Sequence, residues 1–135
     1  MELWEQLEKH ACLAIQGTLT PASGRLRVKG DVRSDLLYVE CKHRSNKSGR
    51  VQSISKEWLR TCEINTKKLS LIPVIAYQED LDGTPGPVLW FCRRLDAEVF
   101  ETVSLTVSLD SSWCQISEES VRNYARSEAE STLYA

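Results

Sequence analysis

The chain has 135 residues, 41% of them hydrophobic and 27% charged, and 17 basic against 19 acidic side chains give a formal charge of −2. That balance excludes a disordered or collagen-like chain and predicts a folded domain, long enough for one core and hardly for two. No apolar run approaches the roughly 18 residues of a membrane-crossing helix.

Residues 2 to 15 are predicted to form a helix. Leu3, Leu7, Ala11, Ala14 and Ile15 recur at helical spacing, and Gly17 and Pro21 close it. This acidic, amphipathic start lacks the pattern of a secretory signal. The stretch TPASGR reads as a loop. Residues 25 to 32 alternate loosely around Leu26 and Val28 and read as a strand, with Gly30 as an irregularity. A polar turn at Arg33-Ser34-Asp35 leads into the apolar strand Leu36-Leu37-Tyr38-Val39, which runs on into Glu40-Cys41-Lys42. The stretch RSNKSGR reads as a basic loop.

Ser53 to Glu57 has the serine and early acid of a helix start, and this second helix carries Trp58, Leu59, Cys62 and Leu69. Residues 71 to 77 form an apolar strand, and Pro73 marks an edge position or a strand start. Asp80 to Pro87 reads as a turn-rich connection. Val88 to Cys92 is a strand, Asp96 to Phe100 a short helix and Val103 to Leu109 a late alternating strand. Ser117 to Ala129 is a capped polar helix whose charges form a solvated face. The order predicts an α/β fold, a small mixed β-sheet flanked by helices.

The five cysteines are odd in number, scattered and without a CxxC pair, and His10 and His43 stand far from metal-finger spacing. They read as reduced, mostly buried thiols of a cytoplasmic protein. The charge is uneven. Residues 25 to 68 carry 12 basic and 5 acidic side chains, a surplus of seven inside an acidic chain. That points to a polyanion at one face, against the plainer reading of a solvated basic surface.

One stretch carries chemistry: KGDVRSDLLYVECKHR. Strand alternation puts Glu40 and Lys42 on one face and Cys41 on the other. Charges ending so apolar a strand are costly unless used or paired. A neighbouring strand ending at Asp31 could set a second carboxylate beside Glu40, which makes a hard oxygen site suited to Mg²⁺ or Mn²⁺. With a lysine alongside, these groups are what metal-assisted phosphodiester hydrolysis needs. The plain alternative is a surface salt-bridge cluster. Asp35 competes with Asp31 but suits a turn better.

Asp31, Glu40 and Lys42 in this order resemble the signature of the PD-(D/E)xK nuclease superfamily. Within it the chain is similar to the resolvase-like endonucleases of bacteriophages and to archaeal Holliday-junction resolvases. The resemblance runs over residues 2 to 92, through LTPASG, KGDVR, LLYVECKHR, SISKEWL and LIPVIAY. It implies a restriction-endonuclease-like core over residues 1–110, with an acidic helical extension over 111–135. It implies Asp31 and Glu40 as metal ligands, the Cys41 carbonyl completing the shell, and Lys42 as the catalytic lysine. Glu8 matches the first-helix glutamate that joins the metal, with Glu5 as fallback, and it could equally be a solvent-facing helix charge. Ser23 matches a hydroxyl near the scissile phosphate, and it could equally be a turn residue. Gly30 stands where the pattern has proline.

Arg25, Arg27, Lys29, Arg44, Lys47, Arg50 and Lys56 are the expected DNA contacts. His43 reads as a polar neighbour rather than a base, and Trp58, Trp90 and Phe91 as core or dimer surface rather than stacking platforms. The implied activity is a Mg²⁺-dependent endodeoxyribonuclease acting on branched DNA such as Holliday junctions. Two-fold junction symmetry implies a homodimer, with apolar residues of 88–109 as its surface. The host cytoplasm is the implied location for a phage product. The alternative is a non-catalytic DNA-binding or phage regulatory protein that keeps the nuclease fold. A third is a structural or anti-defence interaction protein using its acidic C-terminal helix.

Overall fold

Residues 2–19, 31–46 and 52–134 are described by the computed structural model, with Leu19, Asp31 and 128–134 described by backbone alone. Helix α1 spans Leu3–Ile15, β1 Thr18–Leu19, β2 Asp31–Arg33, β3 Leu37–Ser45, α2 Lys56–Thr66, β4 Ile72–Leu81, β5 Thr84–Arg93, β6 Trp113–Ile116 and α3 Glu118–Tyr134, with a 3-10 helix at Arg94–Val99. The fold is a mixed α/β one. Among the described residues six strands lie in chain order in one sheet. Strands β1, β2 and β3 form an antiparallel meander. Strand β4 runs parallel to β3, because α2 carries the chain back across the sheet. Strands β5 and β6 are antiparallel again.

Two apolar layers cover the sheet. Leu7, Ala11, Ala14 and Ile15 of α1 and Val121 of α3 pack on Val32, Leu37, Val39, Cys41, Val74 and Ala76. On the opposite face Leu59 and Cys62 of α2 pack with Tyr38, Ile75, Tyr77, Phe91 and Trp113. The odd residues of β3 thus face α1 and the even ones face α2.

Local chemistry fixes the helix ends. Ser55 caps α2, its hydroxyl accepting from the Glu57 N–H at 3.2 Å. Helix α1 ends at Gln16 in the left-handed region. Gly17 follows, and a Cβ there would collide with the Arg33 carbonyl of β2, so a glycine lets the helix end lie against the strand.

Three expectations change. The connection at 80–87 is mostly strand: β4 and β5 run to Leu81 and from Thr84, joined by Asp82 and Gly83, both at positive φ. Asp-Gly suits that tight hairpin turn. Residues 103–109 are no strand. They run beside the sheet with isolated bridges at Thr102 and Ser108, and Val103 and Leu105 stand exposed. The last strand is instead Trp113–Ile116, buried on both faces and therefore without alternation. The described part of the expected extension, residues 111–134, is built into the fold: β6 joins the sheet and α3 packs on α1. Pro73 sits in β4 between two strands, one residue before the pairing with β5 begins at Val74. Its missing N–H falls at the strand start.

Candidate active site on the central strand

Register builds the site. Asp31 of β2 is paired directly with Glu40 of β3, and opposite residues of an antiparallel pair share one sheet face. Lys42 lies two residues further along β3 and shares that face with Glu40. Asp31, Glu40 and Lys42 are therefore on the α2 side of the sheet. Cys41 points to the α1 side, into the apolar layer.

Glu40 is 4% exposed. Its Oε2 accepts from the Tyr38 hydroxyl at 3.1 Å, and Oε1 lies 3.5 Å from Lys42 Nζ. Asn65 Nδ2 of α2 donates to the same Tyr38 oxygen at 3.3 Å. A buried carboxylate in this setting is tolerated because donors surround it. The Lys42 ammonium also lies 5.6 Å from the centre of the Trp58 ring. The donor chemistry suits a hard divalent cation: Glu40 offers carboxylate oxygens on this face, Asp31 is its register partner, and the neighbouring Cys41 lies on the other face. Among the described residues no three His, Cys, Asp or Glu side chains converge as a metal-holding group, and Asp31 enters by backbone register alone.

Glu8 is 2% exposed. It belongs to α1, which packs on the sheet face opposite Glu40 and Lys42. Glu5 is half-buried on the same helix, and its Oε1 accepts from the Glu2 N–H at 3.2 Å. Lys56 is exposed at the start of α2. Arg44 is engaged within the fold: Nη1 donates to the Ser53 carbonyl at 2.9 Å, and the guanidinium lies 4.5 Å from the Trp58 ring centre. Ser23, Arg25, Arg27, Lys29, Lys47 and Arg50 lie outside the described residues.

Sequence reasoning missed three groups. Trp58 is half-buried and meets two cations rather than only core residues; Lys42 and Arg44 at i and i+2 opposite a helical tryptophan was the available signal. His43 Nε2 lies 3.1 Å from Asp80 Oδ2, with only 16% of the His43 side chain exposed. Glu118, read as a solvated charge, takes His10 at 2.6 Å, Trp90 Nε1 at 2.9 Å and Arg122 at 3.0 Å, tying α1, β5 and α3 together. Burial alone would raise the Glu118 carboxyl, but the hydrogen bonds from His10, Trp90 and Arg122 outweigh it and hold it below its ordinary value. Trp90 and Phe91 are core, fully enclosed. Four of the five cysteines, Cys41, Cys62, Cys92 and Cys114, are buried. Burial, then the adjacent Cys114, pushes the Cys92 thiol up. Among the described residues no helix is long and apolar enough to cross a membrane.

A scan of protein-family models, a search of curated proteins and a search of solved structures each return no match for this chain.

Proposed function

We propose that the chain is a metal-dependent endodeoxyribonuclease of the PD-(D/E)xK kind, with Asp31, Glu40 and Lys42 at its centre. The observation that carries this reading is the pairing of Asp31 with Glu40, with Lys42 3.5 Å from the Glu40 carboxylate. Two acids and one lysine on one sheet face are a costly arrangement for a plain scaffold and a useful one for phosphodiester chemistry. The bound Mg²⁺ or Mn²⁺ would activate water and neutralise charge on the phosphate.

The chain's own groups do the rest. Asp31 and Glu40 hold the cation, joined by the Cys41 carbonyl. Tyr38 donates to Glu40 and fixes its rotamer, leaving lone pairs on both carboxylate oxygens for a ligand. Lys42 sets a positive charge beside the reacting phosphate, where negative charge grows in the transition state. The basic surplus of residues 25 to 68 supplies sequence-independent affinity for the DNA backbone. Branched DNA is the substrate the resemblance favours. A homodimer would meet its two-fold symmetry, and Leu95, Val99, Val103 and Leu105, which are exposed, are the residues we assign to that surface.

The test is cleavage of a synthetic four-way junction, a flap and a linear duplex, with and without Mg²⁺. Metal-dependent cutting supports the reading. Binding without cutting at any Mg²⁺ or Mn²⁺ concentration would replace it with the non-catalytic DNA-binding alternative.

A further inference from the structure

Helix α2 touches the surroundings of Glu40 at two points. Trp58 and Asn65 are seven residues apart, about two turns, and so lie on one stripe of the helix. Trp58 meets Lys42, whose ammonium lies 5.6 Å from the ring centre. Asn65 meets Tyr38, donating to its hydroxyl at 3.3 Å. Lys42 and Tyr38 each contact one oxygen of Glu40. The helix therefore reaches the carboxylate through two intermediaries.

The indole is itself held in place. The Arg44 guanidinium lies 4.5 Å from its centre, and the Tyr77 ring lies 5.9 Å away at an interplanar angle of 43°. Arg44 is anchored in turn by the Ser53 carbonyl and the Tyr77 hydroxyl. Burial and the hydrogen bond from its hydroxyl to Glu79 push the Tyr77 phenol up, which keeps it a neutral donor. A lysine is a flexible stem with a strongly hydrated head, and holding it in one geometry costs rotamer freedom. An aromatic face offsets that cost by attracting the ammonium without forming a competing salt bridge. A carboxylate in Trp58's place would draw Lys42 away from Glu40; an aliphatic chain would leave its head free to turn to solvent.

We infer that Trp58 is a positioning residue for Lys42, and that Asn65, acting through Tyr38, positions the other oxygen of Glu40. The inference rests on the nuclease reading for its catalytic consequence, but the placement of Lys42 is measurable without activity. The direct probe is side-chain NMR of Lys42. In the wild-type chain its ε-methylene protons feel the indole ring current and lie upfield of the free-lysine position. Trp58→Leu returns them to that position, and Trp58→Phe, which keeps a ring and the fold, retains most of the shift. In Mg²⁺-dependent cleavage of a synthetic duplex or four-way junction, Trp58→Leu lowers kcat about tenfold with KM within about twofold, and Trp58→Phe recovers most of the loss. Asn65→Ala lowers kcat about threefold.

Lys42 signals at the free-lysine position in the wild type, or unmoved in Trp58→Leu, would overturn the inference whatever the cleavage result. So would a Trp58→Leu kcat equal to wild type. A wild type that never cleaves while the Lys42 shift behaves as described would remove the nuclease reading and leave the positioning of Lys42 standing.

Discussion

Strand β3 shows two chemistries on its two faces. Toward α1 it presents Leu37, Val39 and Cys41, which vanish into an aliphatic layer with Val32, Val74 and Ala76. Toward α2 it presents Tyr38, Glu40, Lys42 and Arg44, a row of polar and charged groups held by aromatic rings and hydrogen bonds. The backbone is the same and the neighbours differ. The first face packs against α1 chiefly through these apolar side chains. The second has a built arrangement whose charges are placed at a cost, and placed charge is where chemistry is to be sought.

Changes on the two faces should therefore separate activity from stability. The largest effect is expected at Lys42. Lys42→Ala should lower kcat for Mg²⁺-dependent DNA cleavage about 100- to 1,000-fold, with DNA affinity nearly unchanged because many other basic residues contribute. Gel-shift and cleavage assays on one preparation read both. A parallel loss of binding would show that Lys42 is only a surface contact. On the opposite face, Leu37→Ala should cost about 3 kcal/mol in urea unfolding. Its kcat, measured well below the melting temperature, should stay near wild type. A large kcat loss there would dissolve the separation between the faces.

Gly17 sharpens the comparison because it touches the strand that carries Asp31. Gly17→Ala drives a Cβ into the Arg33 carbonyl, and should cost about 2 kcal/mol while also weakening metal-dependent activity. A variant as stable as wild type would mean that β2 can shift freely. The smallest effect is expected far from the site, at Glu118. Its folded carboxyl lies below its ordinary value. The stability it contributes is present above the unfolded value and is lost as pH falls through the folded one. Glu118→Gln should cost about 1 kcal/mol at neutral pH and flatten the acid side of the stability profile. Superimposable acid limbs for variant and wild type would remove Glu118 from that role.

Much of this was legible in the sequence, for physical reasons. Leu7, Ala11 and Ala14 at helical spacing marked α1, and the Ser55 region marked the start of α2. Asp31, Glu40 and Lys42 could be placed on one face by period-two alternation once β2 and β3 were seen as neighbours. Strand β6 was hidden because Trp113, Cys114, Gln115 and Ile116 are all buried and leave no alternation. Val103 to Leu109 misled because alternation also occurs in an extended segment beside a sheet. The roles of Trp58, Asn65 and Glu118 depend on contacts between distant segments, such as Trp90 with Glu118 and Tyr38 with Asn65, which local spacing does not reveal. Glu8 looked able to face the strand ends from its place beside Leu7, and only the layering shows that α1 covers the other side of the sheet.

The central claim is that Asp31 and Glu40 share one divalent cation. Mn²⁺ binding to the wild type, Asp31→Asn and Glu40→Gln, followed by electron paramagnetic resonance of the free ion with unfolding curves as a fold check, tests it most directly. The account predicts one site in the wild type, weakened at least about tenfold in each folded variant. Equal Mn²⁺ binding by all three proteins would contradict it.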